Sequence, residues 1–164
     1  MNFIPASLFK LNDIHNLQIS GRGGKEKDIS SIFSNANRVS AALYDYEIVD
    51  GENLYHIEIK KQANDQWFDI RKYHNLSKHE QEILMLFVIH QDNQIKTVAI
   101  IQLGRLLEIL LTHDEFKRYG WSPKVIKIAQ ELHDECPELQ FKAKLKVLHF
   151  VKNFRDEFQI IYSA

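Results

Sequence analysis

The sequence predicts an α/β or α+β domain built around a mixed β-sheet. A helix-like pattern near the N-terminus is followed by at least three strand-like segments and then mainly by helix-like segments. The chain has 164 residues, 45% of them hydrophobic and 26% charged, which is enough to bury a sizeable core. We expect one domain over residues 1–164, with about four or five strands flanked by helices. Its core would span about 21–112, and a C-terminal helical part about 113–164.

The first half of the chain predicts one helix and then strands. Between Lys25 and Asn37, apolar residues recur at i, i+3, i+4 and i+7, the pattern of one helix face. The segment "VSAALYDYEIVDGENLYHIEIKKQ" (39–62) predicts two strands joined around "DGEN", a hairpin signal. The segment "WFDIRKY" (67–73) is a candidate third strand, and residues 1–20 indicate no more than a short helix.

The second half alternates strand and helix signals before it becomes helical. "SKHE" (77–80) fits a capping box at a short helical turn. "ILMLFVIH" (83–90) predicts a central strand, which pairs with "IKTVAII" (95–101) across "QDNQ". "LGRLLEILLT" (103–112) predicts a helix. Two further helices are predicted at 122–135 and 139–158.

Composition excludes several classes of protein. Cys136 is the only cysteine, so internal disulfides and cysteine-based zinc sites are excluded and a reducing, cytoplasmic setting is expected. No apolar run approaches the ~18 residues of a membrane span, and the N-terminus lacks the pattern of a signal peptide. The net charge of −1 counts mildly against a nucleic-acid partner, although it does not report how the charge is distributed.

The two strands of the predicted hairpin each carry an apolar and a polar face, because side chains alternate along a strand. A three-residue loop would mix the two faces, so the pattern argues against it. The apolar face would hold Tyr44, Tyr46, Ile48, Tyr55, Ile57 and Ile59. The polar face would hold Asp45, Glu47, His56, Glu58, Lys60 and Gln62.

The loop between the strands sets their register. If Asp50 to Asn53 form a four-residue loop, Val49 faces Leu54 and Asp45 faces Glu58. A two-residue turn at Asp50-Gly51 would keep the same faces but slide the register. Either way, two carboxylates share one face of the hairpin.

In the first register, Asp45 and Glu58 are like charges on neighbouring strands, which destabilises a sheet unless something offsets the repulsion. Solvent can do so, because antiparallel sheets often leave one face wet. A divalent cation is the alternative, since two close carboxylates suit Mg²⁺. Lys60, one step along this face, could then orient or deprotonate an attacking water, or neutralise charge on a phosphate.

Asp45 followed by Glu58-Ile59-Lys60 on an adjoining strand resembles the catalytic motif of the PD-(D/E)XK nuclease superfamily. Tyr44 stands where the family usually has proline. Upstream, "GRGGKEKDISSIF" (21–33) resembles the glycine-rich and basic entry to the helix that precedes the motif in archaeal Holliday-junction resolvases. Glu26 matches the glutamate with which that helix often completes the metal site.

The resemblance implies metal-dependent hydrolysis of a DNA phosphodiester bond within a restriction-endonuclease-like core. Asp45 and Glu58 would hold Mg²⁺, for which Mn²⁺ would substitute, helped by the Ile59 carbonyl and Glu26. Lys60 would assist the water. Four further residues are candidate DNA contacts, Gln62 on the strand and Arg22, Lys25 and Lys27 near the helix start, where a solvated loop is the alternative.

Among nucleases, the sequence is most similar to a small type II restriction endonuclease that cuts duplex DNA as a homodimer. "NLSKHEQE" (75–82) leaves less room for a helix than resolvases of this type have. A Holliday-junction resolvase or DNA-repair nuclease remains the alternative. From another class, the chain could be a non-catalytic α/β interaction protein or an inactive nuclease-like subunit. "GRGGK" is not a P-loop, so no nucleotide cofactor is expected, and no histidine spacing fits a zinc site.

Overall fold

A computed structural model shows an α+β fold with a mixed six-stranded sheet, a separate two-stranded sheet and an α-helix. It describes residues 3–12, 14, 30–63, 67–69, 73, 76–92, 94–112, 144–146, 151–152 and 154–164. The strands are β1 (Ala36–Arg38), β2 (Tyr46–Asp50), β3 (Asn53–Ala63), β4 (Trp67–Asp69), β5 (Leu84–Gln91), β6 (Gln94–Gln102), β7 (Lys144–Lys146) and β8 (Gln159–Ser163), and the helix is α1 (Leu103–Thr112).

The six-stranded sheet has the order β1-β2-β3-β5-β6-β8. Its pairs are antiparallel except for β3 and β5, which run parallel at the centre. Strands β4 and β7 form the small antiparallel sheet. The class predicted from the sequence, a mixed sheet in an α/β or α+β domain, is confirmed. The main sheet is wider than the predicted four or five strands, because β1 and β8 extend its two edges.

The register predicted for the first hairpin is confirmed over β2, from Tyr46 opposite Ile57 to Val49 opposite Leu54. Val49 pairs with Leu54, as expected for a loop over 50–53. Asp50 and Asn53 also pair, so the loop tightens to a two-residue turn at Gly51 and Glu52. Gly51 has φ +61°, a conformation that costs glycine little and that suits the first position of a tight hairpin turn. The alternative turn at Asp50-Gly51 is wrong.

Strand β5 is buried on both faces, which explains why its sequence is a continuous apolar run. On one face Met85, Phe87 and Ile89 belong to a core cluster closed by α1. On the other face Leu86 and Val88 belong to a second cluster. That cluster is closed by side chains that precede the first sheet strand, namely Ile4, Leu8, Ile14, Ile32 and Phe33.

The N-terminal segment is tied to the start of β8 by one side chain. Oε1 of Gln159 accepts hydrogen bonds from the backbone N–H groups of Phe3 (2.8 Å) and Ile4 (3.0 Å). Nε2 of Gln159 donates to the Ile4 carbonyl at 2.8 Å. Three hydrogen bonds from one amide thus hold the two distant segments together.

The turn between β4 and β5 confirms the predicted capping box. The Ser77 N–H donates to Oε1 of Glu80 at 2.9 Å, and the Glu80 N–H donates to Oγ of Ser77 at 3.1 Å. Helix α1 has the bounds predicted for it and begins directly after β6. It packs closely on the capped turn, because a Cβ placed on Gly104 would lie 2.8 Å from Cβ of Gln81.

The helix predicted over 25–37 is wrong in its described part. Residues 30–32 form a single 3₁₀ turn, and 36–38 form β1 instead. Tertiary pairing overrides the helical spacing here. Phe33 forms a β-bridge with Phe9, and Ala36 pairs with Ile48 of β2. Residues 25–29 lie outside the described residues.

The long helix predicted over 139–158 is also wrong as one continuous helix in its described part, of which only residues 151–152 are α-helical. Residues 144–146 form β7, 155–157 form a 3₁₀ turn, and the unpredicted strand β8 follows. "KLK" at β7 has the two-residue period of a strand, and "QIIYS" at β8 is rich in β-formers. Of the candidate strand at 67–73, residues 67–69 form β4 in the small sheet and Tyr73 is not in a strand, while 70–72 lie outside the described residues. The helix predicted at 122–135 lies outside the described residues.

No helix among the described residues has the length and apolarity that crossing a membrane requires.

Candidate functional site

Glu58 and Lys60 form the centre of the candidate site, on β3. Glu58 is 5% exposed and is the only charged residue that is buried among the described ones. Nζ of Lys60 lies 2.8 Å from Oε1 of Glu58, and the Lys60 side chain is 26% exposed. Since burying a carboxylate is costly without a charge partner or hydrogen bonds, this lysine offsets part of the cost. The Lys60 side chain is therefore not sealed from solvent.

Both side chains lie on the sheet face closed by α1. Glu58 pairs with Met85 and Lys60 with Phe87 across the parallel β3–β5 ladder. Met85 and Phe87 belong to the cluster that contains the α1 residues Leu103 and Leu106. The polar side chains Glu58 and Lys60 of β3 and the apolar side chains Met85 and Phe87 of β5 therefore share one face of the sheet. This places Glu58 at the boundary of the core.

Asp45 lies immediately before β2, and its backbone is fixed on both sides. Its N–H donates to the Ile57 carbonyl at 2.9 Å, and its carbonyl accepts from the Val39 N–H at 2.9 Å. The Ile57 carbonyl belongs to the peptide bond that leads into Glu58, so Asp45 is a close backbone neighbour of Glu58. Oδ2 of Asp45 is buried and has no hydrogen-bond partner among the described residues.

The pairing between Asp45 and Glu58 differs from the predicted one. The regular ladder ends at Tyr46 and Ile57. The Asp45 N–H donates to this same Ile57 carbonyl instead of pairing with Glu58, which is the hydrogen-bond pattern of a β-bulge. Strand alternation therefore stops at Tyr46. Tyr44 shows the effect, because its ring stacks on His56 of the polar row instead of lying with Tyr46.

Among the described residues, no strand pairing on the β2 side of β3 occupies the Ile59 carbonyl, so this carbonyl is a candidate ligand. Carbonyls two residues apart on a strand point the same way, so the Ile59 carbonyl points to the same side as that of Ile57. The β2–β3 ladder ends at Ile57 and Tyr46, so no described residue of β2 pairs with Ile59. The Ile59 side chain is 1% exposed and anchors this backbone in the second core cluster.

Next to Glu58, His56 stands in an ordered aromatic cluster. Its ring stacks on Tyr44 with centroids 4.2 Å apart, and it meets His79 edge-on at 5.2 Å. Nε2 of His56 lies 3.2 Å from Oε1 of Glu47. Sequence reasoning placed His56 and Glu47 on the polar face but missed Tyr44 and His79. Only the fold brings the turn at 77–82 against the start of β3.

Of the remaining predicted site residues, one lies on β3 and four lie outside the described residues. Gln62 lies on β3 and pairs with Ile89, which leaves it on the predicted strand. Glu26, Arg22, Lys25 and Lys27 lie outside the described residues. Within the described ranges, no group of three or more His, Cys, Asp or Glu side chains is placed to hold a metal. The described acids Asp45 and Glu58 are thus a two-carboxylate set at most.

No family model matches this chain, and no curated protein or solved structure does either.

Proposed function

We propose that this protein is a Mg²⁺-dependent DNA endonuclease that hydrolyses phosphodiester bonds. The observation that carries the proposal is the buried Glu58 bound to Lys60, together with a buried carboxylate oxygen of Asp45 that has no partner among the described residues, and the Asp45 N–H donates to the carbonyl directly before Glu58. A buried carboxylate oxygen without a hydrogen bond is costly, and such groups persist where they serve a ligand or a reaction. The sequence resemblance to PD-(D/E)XK nucleases supports the same reading.

The residues present fit a hard divalent cation. Asp45 and Glu58 would supply carboxylate oxygens and Ile59 a backbone carbonyl, all of which are ligands that Mg²⁺ or Mn²⁺ accepts. Glu26 is the candidate for a further acid. When bound, the cation polarises the phosphate and makes a coordinated water more acidic.

Lys60 would act on the phosphate or the attacking water. Its ammonium is held 2.8 Å from Oε1 of Glu58, so it is oriented, and the Lys60 side chain as a whole is partly exposed to solvent. A fixed positive charge stabilises the negative charge that develops on phosphate oxygens, and it also positions a water by hydrogen bonding. Gln62, two residues further along β3, would contact the strand being cut.

Duplex DNA cut by a homodimer is the substrate and assembly that we infer, as for a small type II restriction endonuclease. Two-fold symmetry lets each protomer cut one strand of a palindrome. The mixed sheet supports a nuclease-like core, because Glu58 and Lys60 lie on β3 beside the parallel partner β5. A junction resolvase or repair nuclease is the second candidate. It is favoured by the short resemblance at 21–33.

Charge-neutral or truncating changes at the two central residues test the proposal. Glu58→Gln and Lys60→Ala should each lower Mg²⁺-dependent plasmid cleavage by about 100-fold or more, since each removes charge aimed at the reacting phosphate or its metal. Lys61→Ala is the matched control. Lys61 is the next residue on β3 and points to the opposite side, so cleavage should stay near the wild-type rate. Circular dichroism would verify that all three variants fold.

Full cleavage by both Glu58→Gln and Lys60→Ala would refute the assignment. Sequencing of the DNA ends then separates the candidates. Discrete sites in duplex DNA indicate a restriction enzyme, and cutting confined to four-way junctions indicates a resolvase. A wild-type protein that cuts neither substrate favours the non-catalytic interaction protein.

A further inference from the structure

A polar pocket of about 190 Å³ opens where β3 and β5 begin and β6 ends. Its polar groups come from three separate segments of the chain, and two aromatic residues and three aliphatic ones, Leu54, Ile83 and Leu84, form the rest of the wall. The polar residues are His56, His79, Glu82 and Gln102, and the aromatic ones are Phe3 and Tyr55.

The lining suits a planar heteroaromatic ring with hydrogen-bonding edges. Glu82 offers acceptors and Gln102 offers both a donor and an acceptor, the groups with which proteins read the edges of nucleobases. Imidazole and aromatic rings supply stacking surfaces for bases. The volume is below the ~300 Å³ at which pockets for drug-sized ligands begin, so it accommodates a single ring system and not a whole nucleotide.

The pocket is already organised on the side of His56. The Tyr44 ring stacks on His56 at 4.2 Å, and Glu47 holds Nε2 of His56 at 3.2 Å, so the imidazole needs little reordering to meet a ligand. His79 is exposed and meets the edge of His56 at 5.2 Å, which leaves one imidazole accessible at the entrance.

The proposed catalytic residues that the structure describes do not line the pocket, but one of them, Glu58, lies two residues along β3 from His56, which does. His56 and Glu58 alternate on one face of β3, which puts their Cα atoms ~7 Å apart along the strand. Successive nucleotides of one DNA strand rise ~3.4 Å each, so the pocket lies about two nucleotides from the scissile position. We propose that the pocket receives a base unstacked from the DNA strand that is cut. This inference rests on the proposed function.

Nothing else in the proposed mechanism uses these groups. Asp45, Glu58 and Lys60 act on the phosphate, whereas the pocket residues would bind a base and fix the strand relative to the scissile bond. Extruding a base costs a few kcal/mol, and the cost is lowest at a mismatch or in a single strand. Substrates with a weakened pair at that position should therefore be cut preferentially.

2-Aminopurine placed at successive positions of a cleaved duplex tests the inference, because its fluorescence rises when the base unstacks. Glu58→Gln protein would be used for binding, so that the DNA remains intact. We expect a several-fold rise at one position about two nucleotides from the cut. Adding His79→Ala or Gln102→Leu should remove that rise and weaken DNA binding by about 5- to 150-fold, the worth of one stacked base.

Lys78→Ala, in the same exposed turn, is the matched control and should keep both the fluorescence rise and the affinity. DNA that binds and is cut without any 2-aminopurine rise would overturn the pocket inference and leave the nuclease proposal standing. A rise that survives both pocket substitutions would do the same. Absence of both binding and cleavage of DNA by the wild-type protein would overturn the two together.

Discussion

At the scale of a single residue, the side chain of Asp45 lowers the stability of the fold, and the proposed function would use it. Its amide is hydrogen bonded to Ile57 of β3 and its carbonyl to Val39, directly after β1, so the backbone of Asp45 cannot move away from Glu58 cheaply. Oδ2 is nevertheless buried without a partner among the described residues. Leaving such an atom unsatisfied costs about 1–3 kcal/mol, and more when the group is charged. The fold retains this cost, as expected for a group that serves a ligand.

Asp45→Asn should therefore stabilise the metal-free protein while it removes cleavage. The substitution removes the negative charge of a half-buried carboxylate at constant size, and a gain of ~1 kcal/mol corresponds to a rise in Tm of about 2–4 °C for a chain of this length. Thermal denaturation with and without Mg²⁺ measures both effects. Mg²⁺ should raise the Tm of the wild type but not that of Asp45→Asn, because only a bound native state gains stability by mass action.

A lower Tm for Asp45→Asn, with an equal response of both proteins to Mg²⁺, would contradict a metal at this carboxylate.

Local sequence signals predicted the elements that pair with, or are capped by, segments close to them in the chain. The β2–β3 hairpin, the β5–β6 pair, the Ser77–Glu80 cap and α1 all depend on residues close together in the chain. The bulge at Asp45 could not be predicted, because alternation alone cannot show where a ladder gains an extra residue. The stacking of Tyr44 on His56 depends on that bulge. Local patterns also could not predict the role of His79, because only the tertiary fold brings this residue to the site.

The contact between α1 and the capped turn gives a prediction at the element scale. Alanine is ordinarily the better helix former by about 1 kcal/mol, so Gly104→Ala would stabilise an isolated helix. Here the added Cβ would lie 2.8 Å from Cβ of Gln81 and 3.1 Å from its carbonyl oxygen, so the turn must shift. We expect Gly104→Ala to lower the free energy of unfolding by about 1–3 kcal/mol.

Urea denaturation would measure this change. Gly104→Ala combined with Gln81→Gly is the control, since removing the opposing Cβ should recover part of the loss. A stabilised Gly104→Ala protein would show that helix propensity outweighs the close contact.

At the scale of the whole molecule, Arg105 of α1 fastens the helix to the turn that leads into β8. Its Nε donates to Oε2 of Glu157 at 2.9 Å and its Nη2 to Oε1 at 2.7 Å. These hydrogen bonds, more than the charge attraction, lower the pKa of Glu157 from its ordinary value. They also raise the pKa of Arg105, which stays protonated throughout.

The Arg105–Glu157 pair makes the free energy of unfolding depend on pH in the acidic range. Because the pKa of Glu157 is lower in the folded state, its contribution is present above the unfolded value near 4.5 and is lost as pH falls through the folded value. Both side chains are partly exposed, so the contribution is modest, about 0.5–1 kcal/mol. Glu157→Gln should lower stability by this amount at pH 7, and the difference from wild type should shrink in acid.

Denaturant titrations of both proteins at pH 7 and in acid measure the effect. Glu108→Gln removes the other, more exposed carboxylate of Arg105 and should change stability less. A wild-type advantage that grows in acid would contradict the sign.

Sequence patterns were least informative about connections that span the chain. Strand β7 lies inside the helix predicted over 139–158 and β8 directly follows it, because the apolar spacing before Phe158 matches a helix face about as well as a buried loop and strand. The pairing of β4 with β7 links residues far apart in sequence, which no local pattern records. The carboxylate–lysine pair at Glu58 and Lys60 was visible because both partners lie on one strand.

The three hydrogen bonds between the Gln159 side chain and the backbone of Phe3 and Ile4 affect the order in which the protein assembles. Phe3 and Ile4 leave the ribosome early, but the side chain that holds them is synthesised more than 150 residues later. Until then the N-terminal segment lacks its final attachment, and the sheet face that it covers is exposed to other apolar surfaces. Contacts this distant in sequence form slowly. The nascent chain is therefore most vulnerable to aggregation just before β8 is complete.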